Sequence, residues 1–480
     1  MNLPMVVYLI GRLLTAEGLM LVIPAIVSAI YGEQKEMRIF LAVAVLTIFI
    51  GIVLSVRKPK NKVFYKREGF VITALGWIFI SLMGCLPFVF SGAIPNFVDA
   101  LFETVSGFTT TGASILSDVE ALPKGILFWR SFTHWVGGMG VLVFLLIITP
   151  MSGGSHVNLM KAESPGPQVE KLVPKVQITA AILYGIYLAM TIIEVILLLA
   201  GGMPLFDAVT TSFGTAGTGG FGIKNDSIGG YSTYLQAVVT VFMILFGINF
   251  NFYFFLLLRK FSRAFAMEEV RGYLAIIIAS ILVITVNISN MFDSVLEAFH
   301  HAAFQVGSII TTTGFATTDF DLWPAASKVI LVMLMFVGAC AGSTGGGMKV
   351  SRWIVMVRNI RKEFRQILHP QSVQVTMMDG KSVPHEVVRS INVFTIAYFI
   401  IFAVSVLLIS FDNQPLATNY TAIAATLNNF GPGLELVGPT QNFSLFSSWA
   451  KLVLIFDMLA GRLELFPVLL LFYPRTWRKF

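Results

Sequence analysis

Four short runs rich in Thr, Asn or Gly, each closing on glycine, divide this chain: Thr109-Thr110-Thr111-Gly112, Gly217-Thr218-Gly219-Gly220, Thr311-Thr312-Thr313-Gly314 and Asn428-Asn429-Phe430-Gly431. Each sits between two long apolar segments. Three of them share an upstream frame without gaps, since Asp99-Ala100, Asp207-Ala208 and His301-Ala302 each begin thirteen residues before the closing glycine. A motif that returns about once per hundred residues means four copies of one supersecondary unit. Four copies in one polypeptide can ring a single axis, as identical subunits do in a tetramer. The shape this predicts is a pore.

Composition places that pore in a membrane. Hydrophobic residues make up 56% of the 480, charged residues 12%, and mean hydropathy is +0.80; soluble domains carry about 25% charged residues. The net charge of +7 reports topology rather than nucleic-acid binding. Counting spans inward puts Arg57 to Arg67, Arg259 to Arg271 and Arg352 to Arg365 on one face, against a sparse set led by Lys35, Lys124, Lys224 and Lys451 on the other. That roughly threefold excess is the positive-inside bias, and it predicts two cytoplasmic termini. Cys85 and Cys340 lie in separate apolar segments and offer neither a disulfide framework nor metal-ligand spacing. The apolar first thirty residues lack a small-residue cleavage site and are interrupted by Arg12, so they read as a retained transmembrane helix rather than a signal peptide.

Apolar stretches long enough to cross about 30 Å of hydrocarbon run near 5–30, 38–56, 69–91, 125–150, 178–201, 234–258, 272–291, 325–358, 389–411 and 448–473. The expected fold is an all-α membrane protein: an N-terminal two-helix hairpin over 1–66, then pore repeats over 67–150, 151–265, 266–365 and 366–480. Each repeat is a helix, a re-entrant segment and a second helix, with one second helix, in repeat 3, expected to be broken. The segments 97–108, 205–216, 299–310 and 418–427 are too short to span and descend as half-helices. Backbone returning from them cannot face lipid unsatisfied, so all four must line one cavity. The soluble stretches 151–177 and 359–387 hold no phosphate loop, nucleotide fold or catalytic cluster.

A monovalent cation leaving water needs its hydration oxygens replaced, and rings of backbone carbonyls do this without trapping it. Glycine reaches backbone conformations that aim successive carbonyls at an axis. The candidate ion-binding residues are therefore Thr110, Thr111 and Gly112; Thr218, Gly219 and Gly220; Thr312, Thr313 and Gly314; and Asn429, Phe430 and Gly431, acting mainly through carbonyls, with the glycines as the central ring. Thr hydroxyls would add oxygens at the mouths or brace the loops from behind. The carbonyl ends of the half-helices should point into the cavity.

The third repeat's second helix is interrupted by Ala339 to Lys349, which includes Gly345, Gly346 and Gly347. Three consecutive glycines exceed what a close helix crossing needs, so a cavity-facing loop is expected. Arg462 falls mid-membrane in the last span, either as a pore-facing charge or paired with Asp457 or Glu464. Lys349 reads equally as a gate residue or an ordinary helix-end lysine. Glu17 and Glu194 are expected to make interhelical hydrogen bonds, and His134, His300 and His301 to pack or cap rather than relay protons.

The runs Phe108 to Ser114 and Leu427 to Gly433, with Thr312-Thr313-Gly314-Phe315 and Gly461-Arg462-Leu463-Glu464, resemble the TrkH/TrkG/KtrB potassium transporters along essentially the whole chain. The TrkH branch is the nearer, through its two extra N-terminal helices and Asn428-to-Gly433 sequence. The second repeat departs from the pattern in being richer in glycine. The resemblance implies potassium as the conducted ion, a homodimer in the bacterial inner membrane, and control by a cytoplasmic nucleotide-binding ring. It also implies that the 345–347 loop gates below the filter and that Arg462 is an electrostatic barrier there. Sodium- or proton-coupled symport is the rival reading; coupled transporters favour inverted repeats and an intramembrane carboxylate at the site, and no filter run contains one. A membrane enzyme and a purely structural subunit fit the four repeats less well.

Overall fold

Helix length sorts the elements into one pattern used four times. The computed structural model describes residues 1–60, 65–140, 176–372 and 374–478, and is almost wholly helical. In each repeat the first helix is long: Lys66–Ser91, Ile178–Ala200, Glu268–Met291 and His385–Asp412 contain 23 to 28 residues and can cross a bilayer. Next comes a half-helix, Phe97–Phe108, Leu205–Gly217, Val295–Ile310 or Leu416–Leu427. Asn96 and Ser294 cap two of these through their side chains, and Pro204 and Pro415 precede the other two. Last comes a helix of 13 to 15 residues: Lys124–Gly138, Thr233–Phe246, Ala325–Val337 or Ser448–Arg462. At 1.5 Å per residue, about 20–22 Å, it stops short of spanning.

The expectation of a single broken second helix is therefore corrected. Among the described residues the second helices of repeats 2, 3 and 4 are interrupted, and that of repeat 1 is helical to Gly138, two residues before its described part ends. Gly140 takes φ 81°; Thr233–Phe246 and Phe250–Leu257 meet at 91° around Gly247-Ile248-Asn249; residues 338–349 leave the helix altogether; and Glu464 and Leu465 sit at φ 55° and 64°. The remainder of the predicted 125–150 span and residues 151–175 lie outside the described residues. After the third break the helix resumes as Val350–Leu368, ten residues beyond the expected end. The stretch after this helix then turns through a small hairpin, Met377–Met378 against Lys381–Ser382. Asp379 and Gly380, at φ 50° and 72°, form its two-residue turn.

The N-terminal hairpin pairs Leu3–Met20 and Val22–Ile30 with Gln34–Ser55. Pro24 lacks the N–H that Met20 would need, which ends the first segment. Small residues let the helices touch: a Cβ on Gly51 would lie 2.6 Å from the Thr15 nitrogen and 2.7 Å from the Gly11 carbonyl. The hairpin and Phe466–Phe472 both pack on Lys66–Ser91. That helix is 61% buried, whereas the other three first helices are 28% buried and turn apolar side chains outward, as a lipid-facing surface requires. Gly51→Val should lower the melting temperature in detergent, since overpacking costs about 1–3 kcal/mol. Gly185→Ala, on a helix with nothing within 4 Å of the new methyl, should not. Equal shifts would contradict this packing.

Candidate ion pathway

Each half-helix ends in the same way. In repeat 1 the Thr111 N–H donates to the Ser106 carbonyl (2.8 Å) and the Thr110 N–H to the Gly107 carbonyl (3.1 Å). Gly219 and Thr218, Thr313 and Thr312, and Phe430 and Asn429 repeat this 6→1 and 5→2 pair on their own half-helices. This is the Schellman ending, whose left-handed residue is usually glycine. Here it is Thr110, Thr218, Thr312 or Asn429, at φ 55°, 55°, 59° and 55°. A β-branched residue in that region costs about 1–3 kcal/mol, and sequence reasoning placed the special backbone only at the glycines. Two residues on, Gly112, Gly220, Gly314 and Gly431 are left-handed again, at φ 81°, 75°, 89° and 101°, with a residue of negative φ between. Such alternation can turn successive carbonyls to one side, where a strand would alternate them.

The four loops close on one another. A side chain on Gly112 would overlap the Gly219 carbonyl, one on Gly220 the Thr313 carbonyl, and one on Gly314 the Phe430 carbonyl; one on Gly431 would meet the Thr111 carbonyl. Each central glycine thus abuts the residue before the next repeat's glycine, in the order 1-2-3-4-1. All the Thr and Asn residues of the runs are fully buried. The hydroxyls of Thr111 and Thr313 bond Thr109 and Thr311 (2.8 Å each), bracing loops 1 and 3 alike. Asn429 Nδ2 donates to Thr111 Oγ1 and to the Met458 carbonyl (2.9 Å each), tying loop 4 to loop 1.

His134 explains why the second run is glycine-rich. Its ring fills the space a Gly219 side chain would need, and its carbonyl the space beside Gly217. Nδ1 lies 2.7 Å from the Gly107 carbonyl and Nε2 3.2 Å from the Phe221 N–H, so Nδ1 carries the proton and Nε2 accepts. It caps and packs, as expected. His300 bonds Gln236 (2.7 Å) and His301 bonds Thr317 (2.9 Å).

Above the glycine ring lies a cavity of about 170 Å³ that touches all four central glycines. Its wall includes Arg130, which forms with Glu103 a pair not singled out from the sequence. Arg130 and Glu103, both buried, pair at 2.6 Å. Arg130 also donates to the Gly222 carbonyl (2.8 Å), and Glu103 accepts from Ser114 Oγ and the Ile115 N–H. The pair fastens the chain leaving loop 1 to that leaving loop 2. Lys451 and Asp99 (2.6 Å) join repeat 4 to repeat 1. At the mouth the Asn225 amide donates to Asp118 (2.9 Å) and holds its carboxyl below the usual carboxylate range, keeping it charged.

Below the ring lies the 338–349 loop. Gly346 N–H donates to Thr312 Oγ1 (2.6 Å) and Gly347 N–H to the Asn428 carbonyl (3.0 Å). Side chains on Gly345 or Gly346 would collide with the Thr311 and Asn428 carbonyls. Lys349 is buried at φ 75°, and its ammonium donates back to the Gly345 and Gly346 carbonyls, so it is no ordinary helix-end lysine. Arg462 donates to the Thr344 carbonyl in this loop (2.9 Å) and to the Gly137 and Gly138 carbonyls at the end of the Lys124–Gly138 helix. Asp457 accepts from Ser405 (2.8 Å), and Glu464 pairs with Arg352. Glu17 is buried without a hydrogen bond among the described residues, whereas the buried Glu194 faces Thr215 of the neighbouring half-helix.

This arrangement has close relatives. The model of the TrkH family, described as a cation transport protein, matches residues 35–479. The Trk system potassium uptake protein TrkH of Salmonella typhimurium is 35% identical over 479 residues, covering 98% of each chain. TrkH of Halomonas elongata is 34% identical over 487 residues and 100% of each, and Escherichia coli TrkG is 31% identical over 479 residues and 98% of each. The crystal structure of the potassium transporter TrkH from Vibrio parahaemolyticus superposes with a TM-score of 0.89 at 32% identity, covering 100% of both chains. The chain therefore belongs to the TrkH family of cation transport proteins, as a multi-span membrane member.

Proposed function

We propose that this protein passes potassium inward across the bacterial inner membrane through one gated, cation-selective pore, with both termini in the cytoplasm. The observation that carries the reading is the closed order of contacts, Gly112 to Gly219, Gly220 to Thr313, Gly314 to Phe430 and Gly431 to Thr111. Four carbonyl-bearing strands in ring contact under a common cavity have the geometry that replaces a hydration shell. Potassium is named because the relatives with printed substrates are potassium uptake proteins. In this reading Thr110 to Gly112, Thr218 to Gly220, Thr312 to Gly314 and Asn429 to Gly431 hold the ion, chiefly by carbonyls. The filter is less regular than four identical chains would make it, and modest discrimination among alkali cations follows.

Gly345, Gly346 and Gly347 form the gate in this account, and Lys349 and Arg462 put positive charge beneath the filter, where it opposes a cation until the loop moves. The protein is further proposed to act as a homodimer under a cytoplasmic nucleotide-binding ring. Coupled symport is the alternative. It would need a carboxylate at the ion site, and the filter runs contain none.

Gly314→Ser would force a side chain against the Phe430 carbonyl at φ 89°. In proteoliposomes it should reduce the potassium-to-sodium flux ratio about tenfold, a change near 1.4 kcal/mol. An unchanged ratio removes Gly314 from the filter. Arg462→Ala should raise rubidium flux along the potassium gradient, at any sodium gradient or pH. Flux that stops without a sodium or proton gradient would establish symport instead.

A further inference from the structure

The 338–349 loop is held from one side by a residue that the pore account above does not use. Glu269 is buried at the cytoplasmic start of the repeat 3 first helix. One of its carboxylate oxygens accepts from the Ala341 N–H (2.7 Å) and from the Ser351 N–H (3.0 Å). These donors lie on either side of the Gly345-to-Gly347 stretch, so a single oxygen ties the first limb of the loop to the start of the helix that follows it. A buried N–H deprived of its acceptor costs free energy, so the loop's resting position depends on this carboxylate.

The preceding residue faces the cytoplasm. Glu268 pairs with Arg358 (2.6 Å) on the helix that follows the loop, and its N–H donates to Asp379 Oδ1 (2.7 Å) in the turn of the small hairpin. Arg358 in turn donates to the Met377 carbonyl of that hairpin. The hairpin residues Met377, Asp379 and Lys381 are exposed. Bonds therefore run from an exposed cytoplasmic turn, through two adjacent glutamates, to the residues on either side of the glycines of an intramembrane loop packed under Thr311 and Asn428.

We propose that Glu269 is a positioning residue that latches the intramembrane loop beneath the filter, and that the Met377–Ser382 hairpin is the handle by which the cytoplasmic side sets that latch. The proposal rests on the gated-pore reading. It assigns the hairpin a defined role: whatever moves Asp379 away from Glu268 loosens the hold on Ala341 and Ser351.

The full chain is reconstituted in phosphatidylethanolamine–phosphatidylglycerol vesicles, and rubidium uptake is measured for Glu269→Ala, Glu269→Gln, Asp379→Ala and the Glu269→Ala/Asp379→Ala double variant. Glu269→Ala should raise flux about fivefold or more, the usual scale of a coupling between sites, with an unchanged potassium-to-sodium ratio. Glu269→Gln keeps a neutral acceptor and should fall between. Asp379→Ala, at the surface, should raise flux alone and add nothing in the Glu269→Ala background. Maleimide labelling gives a readout that needs no flux. Cys340 in the loop and Cys85 in repeat 1 are both buried; releasing the latch should expose Cys340 while Cys85 stays protected. Cys340 remaining protected in Glu269→Ala, both cysteines reacting together, or an undiminished Asp379→Ala effect in that background would each overturn the proposal. Absence of potassium-driven flux in the unaltered protein would instead strike the pore reading and leave the labelling result to judge the latch.

Discussion

Backbone polar groups cannot be left bare at membrane depth, and the rest of this structure follows from that constraint. The half-helices end inside the membrane, as do the short second helices. Every one of those ends leaves carbonyls and N–H groups that lipid cannot satisfy. The protein satisfies many of them in pairs. The Schellman bonds at Thr110, Thr218, Thr312 and Asn429 close the half-helices. Arg462 takes up the carbonyls of Gly137 and Gly138 at the end of the Lys124–Gly138 helix, and Glu269 accepts the N–H groups of Ala341 and Ser351. A central cavity ringed by backbone is what remains when unsatisfied groups are directed inward.

The fourfold plan is approximate, and its departures fall where chemistry differs. Loops 1 and 3 carry the same threonine brace, whereas loop 4 replaces it with Asn429, whose amide reaches across to loop 1. Loop 2 gives up side chains to accommodate His134. Among the described residues, repeat 3 inserts a long non-helical segment below the ring, and the buried cations Lys349 and Arg352 stand where that segment rejoins a helix. In the proposed pore, four similar strands suit ion coordination and the unequal repeat supplies the gate.

Much of the architecture was legible in the chain. Apolar length separated spanning helices from half-helices, and the four glycine-terminated runs marked the loops to within a residue or two. Length alone could not show that the second helices of repeats 2 and 4 break as well as that of repeat 3. The apolar windows around Gly247 and Gly461 read as continuous because a local kink leaves hydropathy unchanged. The left-handed threonines were invisible for a different reason: Thr disfavours that conformation, and only the Schellman bonds impose it. Arg130 did not stand out because its partner Glu103 lies 27 residues away, on a different helix. The dual grip of Glu269 was hidden likewise, since Ala341 and Ser351 are 72 and 82 residues distant. Local patterns carry helix length and turn chemistry; long-range pairing of buried charge does not appear in them.

The central claim is that the four loops together hold one column of ions. Crystals soaked in thallium, whose anomalous scattering marks a potassium-like ion, test it most directly. The account predicts density on the pseudo-fourfold axis, bounded by the carbonyls of Thr111 and Gly112, Gly219 and Gly220, Thr313 and Gly314, and Phe430 and Gly431. Density confined to a buried carboxylate such as Glu194 or Asp457, with none on the axis, would contradict it.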